Sequence, residues 1–140
     1  MGKMNAGKVL LGGLVAGVII NIGEWLTHGV FLKSAWQELM KAGLTGPEPS
    51  GSLMGLCFLS RFVIGLLIVW LYAAARPRLG GNVKSALLIA FVGSLLVWGP
   101  MSLDMGLFSP LPDKIAVAIF VGGMISGIVG SFVGAWLYTE

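Results

Sequence analysis

The sequence has 140 residues, of which 56% are hydrophobic and only 11% are charged, and its mean hydropathy is +0.93. A soluble domain carries about 25% charged residues because its surface faces water, so this composition excludes a soluble globular protein. The net charge is +3, but there is no basic run or stripe of the kind that binds nucleic acid, and we predict no nucleic-acid partner.

Four apolar stretches are separated by short segments that hold most of the charges. Each stretch reaches about 20 residues, enough to cross a hydrocarbon core of about 30 Å as a helix. None shows the alternation of apolar and polar residues that is typical of barrel strands. The sequence therefore predicts an all-α membrane protein, a four-transmembrane-helix bundle that forms a single domain over residues 1–140. We place the spans at about 9–32, 52–75, 84–107 and 114–138.

Span one carries the most informative residues. Lys3 and Lys8 precede it as in a signal peptide, but no small-x-small cleavage site follows, so we predict an uncleaved span. One helical face, at spacings of three and four residues, holds Gly13, Gly17, Asn21, Glu24 and His28. The two glycines predict close approach of another helix, and the three polar residues present an amide, a carboxyl and an imidazole.

The connection after span one predicts a short amphipathic helix over about 34–43 that lies in the membrane interface. Its apolar residues recur at helical spacing and are Trp36, Leu39, Met40 and Leu44. Ser34 and Gln37 have the spacing of a capping box at its start, and Gly43 is suited to its end. The alternative is an irregular polar loop.

Span two contains Arg61, one helical turn after Cys57. Glu24 and Arg61 lie about 7 Å and 13 Å below the same side of the hydrocarbon core, at 1.5 Å per residue. A lone charge at the bilayer centre costs at least about 2.5 kcal/mol. We therefore predict that Glu24 and Arg61 face the bundle interior as a hydrogen-bonded ion pair, and that Asn21 and His28 surround it. The alternative is a structural clamp that fixes the register of spans one and two.

Span three adds further candidates at the same depth. Asp104 lies near its end and is expected to join the Glu24–Arg61 pair or to compete with it. Pro100 removes a backbone hydrogen bond and predicts a kink that opens a small pocket. The residues expected to line this pocket are Trp25, Cys57 and Trp98. The alternative is that Pro100 ends the helix and that residues 101–113 form a surface loop.

Span four carries small residues at helical spacing. Its glycines at spacings of four, three and four residues are Gly123, Gly127, Gly130 and Gly134. Small residues let helix backbones approach closely in lipid. This face predicts helix packing within the chain, against span one or span two; the alternative is a homodimer interface.

The distribution of basic residues predicts the orientation of the bundle. The side that holds both termini carries Lys3, Lys8, Arg76, Arg78 and Lys84. The other side carries Lys33, Lys41 and Lys114. By the positive-inside rule, both termini are predicted to be cytoplasmic. An aromatic belt on that side is predicted from Trp70, Tyr72, Trp136 and Tyr138.

Three short motifs extend over most of the chain. They are Asn21-Ile22-Gly23-Glu24-Trp25, Trp70-Leu71-Tyr72 leading to Arg76-Pro77-Arg78, and Gly134-Ala135-Trp136-Leu137-Tyr138. With them the chain resembles a group of uncharacterised small bacterial membrane proteins with four transmembrane helices. The resemblance implies a four-span bundle in the bacterial inner membrane and brings no catalytic residue with it.

No catalytic motif is present, and we predict that the chain is not an enzyme. A single histidine, His28, excludes an intrachain bis-histidine haem site, and no cluster is suited to zinc, so no cofactor or metal is predicted. The preferred interpretation is a non-enzymatic binding or accessory bundle in the lipid bilayer. It would be a subunit of a membrane complex, or a homo-oligomer holding a lipid or small amphipathic ligand. The alternatives are a transporter or channel for a proton, ion or small solute that uses Glu24, His28 and Arg61, and a membrane enzyme that uses Glu24 or His28 as acid or base.

Overall fold

The computed structural model describes residues 4–46 and 49–138. In chain order the helices are α1 (Ala6–Trp25), a π-helical segment (Leu26–Phe31) that continues it, α2 (Lys33–Lys41), α3 (Gly51–Leu79), α4 (Val83–Phe108) and α5 (Asp113–Leu137). Helix α1 with its π-helical segment, α3, α4 and α5 are each long and apolar enough to cross a membrane. The predicted all-α, four-span architecture is confirmed, and the predicted span limits differ from these by about one helical turn or less. Lys3, one of the basic residues from which the orientation was predicted, lies outside the described residues.

Side-chain caps and a glycine set the limits of the long helices. The Asn5 side chain accepts a hydrogen bond from the Lys8 amide (3.1 Å) and begins α1. Asn82 does the same for the Ser85 amide (2.9 Å) and begins α4. These contacts satisfy amides that have no partner within the helix. Helix α3 ends at Leu79 and is followed by Gly80, whose φ of +82° is readily adopted only by glycine.

Helix α2 confirms the predicted short helix, but its start differs from the prediction. Ser34 does not cap it, because the π-helical segment runs into α2 through Leu32, whose amide donates to the Thr27 carbonyl (2.9 Å). There is therefore no loop for a capping box to close. The helix ends at Lys41, and Gly43 follows with φ of +69°, as is suited to the end of a helix. Its apolar residue Leu39 is buried in a cluster with Leu111, Ile115 and Ile119, so part of the apolar face packs against α5.

Helix α1 lies between α3 and α5, and α5 packs in turn against α4. At the α1–α5 seam, a Cβ placed on Gly134 would overlap the Gly12 carbonyl oxygen, and one placed on Gly12 would overlap that of Gly134. Further along, a Cβ on Gly130 would lie 2.8 Å from the Ala16 carbonyl oxygen. The two backbones are therefore in direct contact, as the small residues predicted.

Other glycines bring α1 and α5 against the outer helices. A Cβ on Gly13 or on Gly17 would overlap Leu66 or Phe62 of α3, respectively. At the other end of α5, Gly123 and Gly127 face Trp98 of α4. The α5 glycines thus pack within the chain as predicted, with Gly130 and Gly134 against span one and Gly134 also against Val69 of span two. The packing of Gly123 and Gly127 against span three was not predicted. All four are buried, so this face is not available to a second copy.

The first ten residues of α3, Gly51–Ser60, differ from the rest of the bundle because every one of them is exposed. Gly51 and Gly55 are spaced like the seam glycines, yet a Cβ on either would meet no described atom within 4 Å. We call Gly51–Ser60 the open segment. It lies at the end of the bundle that carries α2, which we call the α2 end; the opposite end, with Asn5 and Tyr138, is the terminal end.

Pro100 does not end α4. The helix continues to Phe108, and only residues 109–112 connect it to α5. The alternative of a surface loop over 101–113 is therefore wrong. Continuation beyond proline is tolerated in a membrane helix because neighbouring groups satisfy the backbone that the proline frees.

Candidate functional site

Glu24 is the centre of the polar cluster. It lies one residue before the end of α1, and its side chain is only 4% exposed. The Trp98 indole N–H donates to its Oε1 over 3.1 Å. The Ser126 hydroxyl lies 3.3 Å from the same oxygen and 3.1 Å from the Gly123 carbonyl, and its single proton serves one or the other. One carboxylate oxygen of α1 therefore lies within hydrogen-bonding distance of a donor on α4 and of a donor on α5.

The second carboxylate oxygen faces two basic side chains. Arg61 Nη2 lies 3.7 Å from Glu24 Oε2, and His28 Nε2 lies 3.5 Å from it. The structure thus brings Glu24 and Arg61 together, but 3.7 Å is too long for a hydrogen bond. The prediction of a hydrogen-bonded pair is wrong in this respect. The indole of Trp98 has a donor and no acceptor, and it occupies the hydrogen-bonding position at the carboxylate instead.

The cluster is enclosed on one side and open on the other. The Glu24 carboxylate points into the bundle, whereas the side chains of Arg61 and His28 are 22% and 30% exposed. Arg61 directly follows the open segment of α3, and its guanidinium lies 6.0 Å from the centre of the Phe58 ring. The basic half of the cluster is therefore accessible from the side on which α3 lacks a partner helix.

Asn21 lies one turn before Glu24 but does not bond to it. Its Nδ2 donates to the Gly17 carbonyl (2.9 Å) and to the Phe58 carbonyl of α3 (3.2 Å). Its buried Oδ1 has no hydrogen-bond partner among the described residues. Asn21 therefore joins α1 to the last turn of the open segment of α3, rather than surrounding the ion pair as predicted.

His28 connects the cluster to α2. It lies in the π-helical segment, and its ring stacks on Trp36 with 5.8 Å between centroids and 28° between planes. π-helical turns are rare in proteins, and those that do occur frequently lie at functional sites. One imidazole therefore contacts both the Glu24 carboxylate and the Trp36 indole.

Asp104 does not join the cluster. It is exposed on α4, and within the described part of the chain no hydrogen bond or ion pair links it to Glu24 or Arg61. The face of α4 that meets Glu24 is the one that carries Trp98, and a residue six positions later points elsewhere on a helix of 3.6 residues per turn. The prediction that Asp104 joins or competes is wrong.

The three residues predicted to line a pocket have different environments. Trp98 is 3% exposed and acts as a hydrogen-bond donor, while Trp25 is 59% exposed on the bundle surface. Cys57 is also exposed, in the open segment. A cavity of about 480 Å³ does lie beside Pro100, but between α4 and α5, with Gly99, Ser102 and Phe120 in its lining. The pocket and the charged cluster are therefore separate.

Sequence reasoning missed the roles of Trp98 and Ser126 as partners of Glu24. The two residues are 74 and 102 positions from Glu24, so no spacing within one helix reveals them. One signal was available: a buried indole N–H in hydrocarbon needs an acceptor, and carboxylates within the spans are few. That argument would have paired Trp98 with Glu24 or Asp104.

The chemistry of this arrangement is that of an ionic binding or anchoring point. One buried carboxylate is held by an indole and a hydroxyl and faces a guanidinium and an imidazole. Among the described residues, no group of three or more metal-ligating side chains lies together. Comparison of the chain with protein-family models, with curated proteins and with solved structures found no match.

Proposed function

We propose that this chain is a non-enzymatic binding or accessory subunit in a membrane, and that the open segment of α3 packs against a transmembrane helix of a partner or of a second copy. The observation that carries the proposal is the exposure of all ten residues of Gly51–Ser60 beside a polar cluster. Every other span in this bundle buries a face against a neighbour over a larger part of its length.

The composition of the open segment supports a helix as the occupant. Gly51 and Gly55 are four residues apart, and the space beside each is free of described atoms within 4 Å. Glycines at this spacing let two helix backbones approach in lipid, where van der Waals contact and hydrogen bonds drive association. The α1–α5 seam of the same chain uses glycines in this way.

The charge of Arg61 also supports a partner helix beside the open segment. Its side chain is 22% exposed, and its guanidinium contacts Glu24 without a direct hydrogen bond. A charged group that faces hydrocarbon is costly, whereas one covered by a neighbouring helix can be paired. A partner helix with an acidic or carbonyl oxygen at this depth would satisfy the remaining N–H donors of Arg61.

We further propose that the membrane is the bacterial inner membrane and that both termini are cytoplasmic. The resemblance in the short motifs supports the first point. The excess of Lys and Arg at the terminal end supports the second, because cytoplasmic loops carry more basic residues. In this orientation the open segment and the Glu24 cluster lie in the outer half of the bilayer.

The test is purification of the protein in native lipid, with the stoichiometry of co-purifying chains as the measurement. Gly55→Leu should abolish association, because a leucine at the glycine prevents backbone approach. Gly7→Leu is the matched control, because Gly7 is exposed at the terminal end and a Cβ there meets only ordinary contacts. Recovery of a monomer from both proteins and from the wild type would contradict the proposal.

A second candidate function is transport of a proton or small ion, and the contacts of Glu24 favour it. A proton taken up by this carboxylate would weaken its attraction to Arg61 and His28, and one of its oxygens also holds α4 and α5. Reconstituted flux that is lost in folded Glu24→Gln protein would support transport. Absence of any flux above that of empty vesicles, together with stable partner chains, would support the accessory role.

A further inference from the structure

A second candidate site lies at the terminal end of the bundle, far from Glu24. A cavity of about 600 Å³ opens between the end of α3, the start of α4 and the end of α5. Its lining includes the polar residues Arg76 and Asn82, and the apolar residues Ala86, Phe132 and Trp136. The cavity is therefore amphipathic, and it lies where three membrane-spanning helices begin or end.

Arg76 is positioned by its surroundings. Its guanidinium lies 5.6 Å from the centre of the Tyr138 ring, within the range of a cation–π contact. It also lies against Gly81, where a Cβ would overlap the guanidinium nitrogens. A guanidinium has five N–H donors in a fixed planar arrangement, and this geometry suits bidentate binding of phosphate. The absent side chain at Gly81 leaves room for the guanidinium at the cavity.

The charge of this region selects an anion. Arg76, Arg78 and Lys84 lie within nine positions of one another, and the sequence contains no Asp or Glu between Glu48 and Asp104. Helix α4 also begins beside the cavity, and the positive end of its dipole adds to the potential there. Glu140 follows Tyr138 by two positions in the sequence, but basic residues outnumber it at this end, so the net positive charge there attracts an anionic group.

The position of the cavity selects an amphipathic anion. Tyr72, Trp136 and Tyr138 line it, and aromatic residues of this kind are enriched where membrane meets water. A ligand there has its charged part beside Arg76 at the membrane surface and its apolar part beside Phe132 and Trp136. We propose that this cavity binds the headgroup of an anionic phospholipid from the leaflet at the terminal end, with the phosphate at Arg76.

The experiment uses the full chain, purified in neutral detergent and equilibrated with equal amounts of phosphatidylglycerol and phosphatidylcholine. Lipid retained by the protein is counted by native mass spectrometry. We expect the wild type to retain phosphatidylglycerol over phosphatidylcholine by about tenfold, as one or two basic groups near the headgroup imply. Arg76→Gln should reduce the preference to about twofold.

Two further variants make the result specific. Gly81→Ala should also lower the preference, because the added methyl displaces the flexible end of Arg76 while leaving the backbone in place. Lys41→Gln removes the same charge from the exposed surface of α2 at the other end and should leave the preference unchanged. If Arg76→Gln does not fold, Gly81→Ala alone decides the question.

Three outcomes would overturn the proposal. The first is a wild type without preference for the anionic lipid. The second is an equal loss in Lys41→Gln and in the two cavity variants, because the attraction would then be a property of net charge. The third is displacement of phosphatidylglycerol by inorganic phosphate, which would assign the cavity to a free anion. None of these results bears on the open segment, so this proposal and the proposed function fail separately.

Discussion

The α1–α5 seam and the open segment of α3 contain the same kind of residue in opposite environments. At the seam, Gly12 and Gly134 bring two helix backbones into direct contact. In the open segment, a Cβ on Gly51 or Gly55 would meet no described atom within 4 Å, and all ten residues of the segment are exposed. Glycine spacing therefore indicates where a helix can be approached closely, but not which helix approaches it.

The charged residues Glu24 and Arg61 also differ between the packed region and the open segment. Glu24 lies near the end of the packed region, within hydrogen-bonding distance of donors on two other helices. Arg61 sits where packing stops, and it reaches the same carboxylate only at 3.7 Å. The buried carboxylate of the packed region therefore has its partners within one chain, whereas the open segment and the arginine that follows it are the part of the molecule that we propose a partner completes.

The largest effect is expected from a leucine at the seam. Gly134→Leu places a side chain against the Gly12 carbonyl oxygen, which cannot move without shifting α1. We expect a loss of about 3 kcal/mol or more in the free energy of unfolding, seen in detergent as a large fall in the thermal midpoint. An unchanged midpoint would show that the seam is not the tightly packed region described above.

The next largest effect is expected at the carboxylate. Glu24→Gln leaves the Arg61 charge without its counterion and should lower stability by about 2 kcal/mol. Adding Arg61→Met should restore more than half of this loss, since the unpaired charge is then removed. Additive losses in the double variant, measured by thermal unfolding, would contradict a direct coupling between the two side chains.

A smaller effect is expected at the indole. Trp98→Phe keeps most of the apolar ring but removes the N–H that donates to Glu24 (3.1 Å), and should cost about 1–2 kcal/mol. The same substitution at exposed Trp25 is the control and should change the unfolding midpoint little. Equal effects of the two variants would mean that the Trp98 hydrogen bond adds nothing beyond ring size.

The smallest effect on the single chain is expected in the open segment. Gly55→Leu adds a side chain where no described atom lies within 4 Å, so the stability of the monomer should change by less than about 0.5 kcal/mol. Thermal unfolding of the monomer in detergent measures this directly. A loss as large as that of Gly134→Leu would show that the open segment is packed in the isolated chain.

The sequence predicted the spans well because an apolar run of sufficient length has few alternatives in a membrane. It also placed Glu24 and His28 on one face of span one, because residues four apart on a helix share a face. The proximity of Glu24 and Arg61 was predicted from their similar depths below the same side of the hydrocarbon core. Each of these predictions depends on distances along one helix or on membrane depth.

What the sequence could not predict depends on contacts between helices. The glycines of α5 form one stripe in the sequence, yet they meet α1 at one end and α4 at the other because the helices cross. Asp104 was predicted to lie at the depth of the cluster, but it lies on a face of α4 that does not meet Glu24. The π-helical segment over Leu26–Phe31 has no signal in the sequence that we can identify.

The most direct test of the account is photo-crosslinking from position 56 in native membranes. Leu56 lies in the open segment and is 61% exposed; Leu88 on α4 is 50% exposed and is the matched position on another span. With a photoreactive residue at each site, the account predicts a defined protein adduct from position 56, lost in Gly55→Leu, and lipid adducts from position 88. Lipid adducts alone from both positions would contradict the claim that the open segment of α3 packs against another helix.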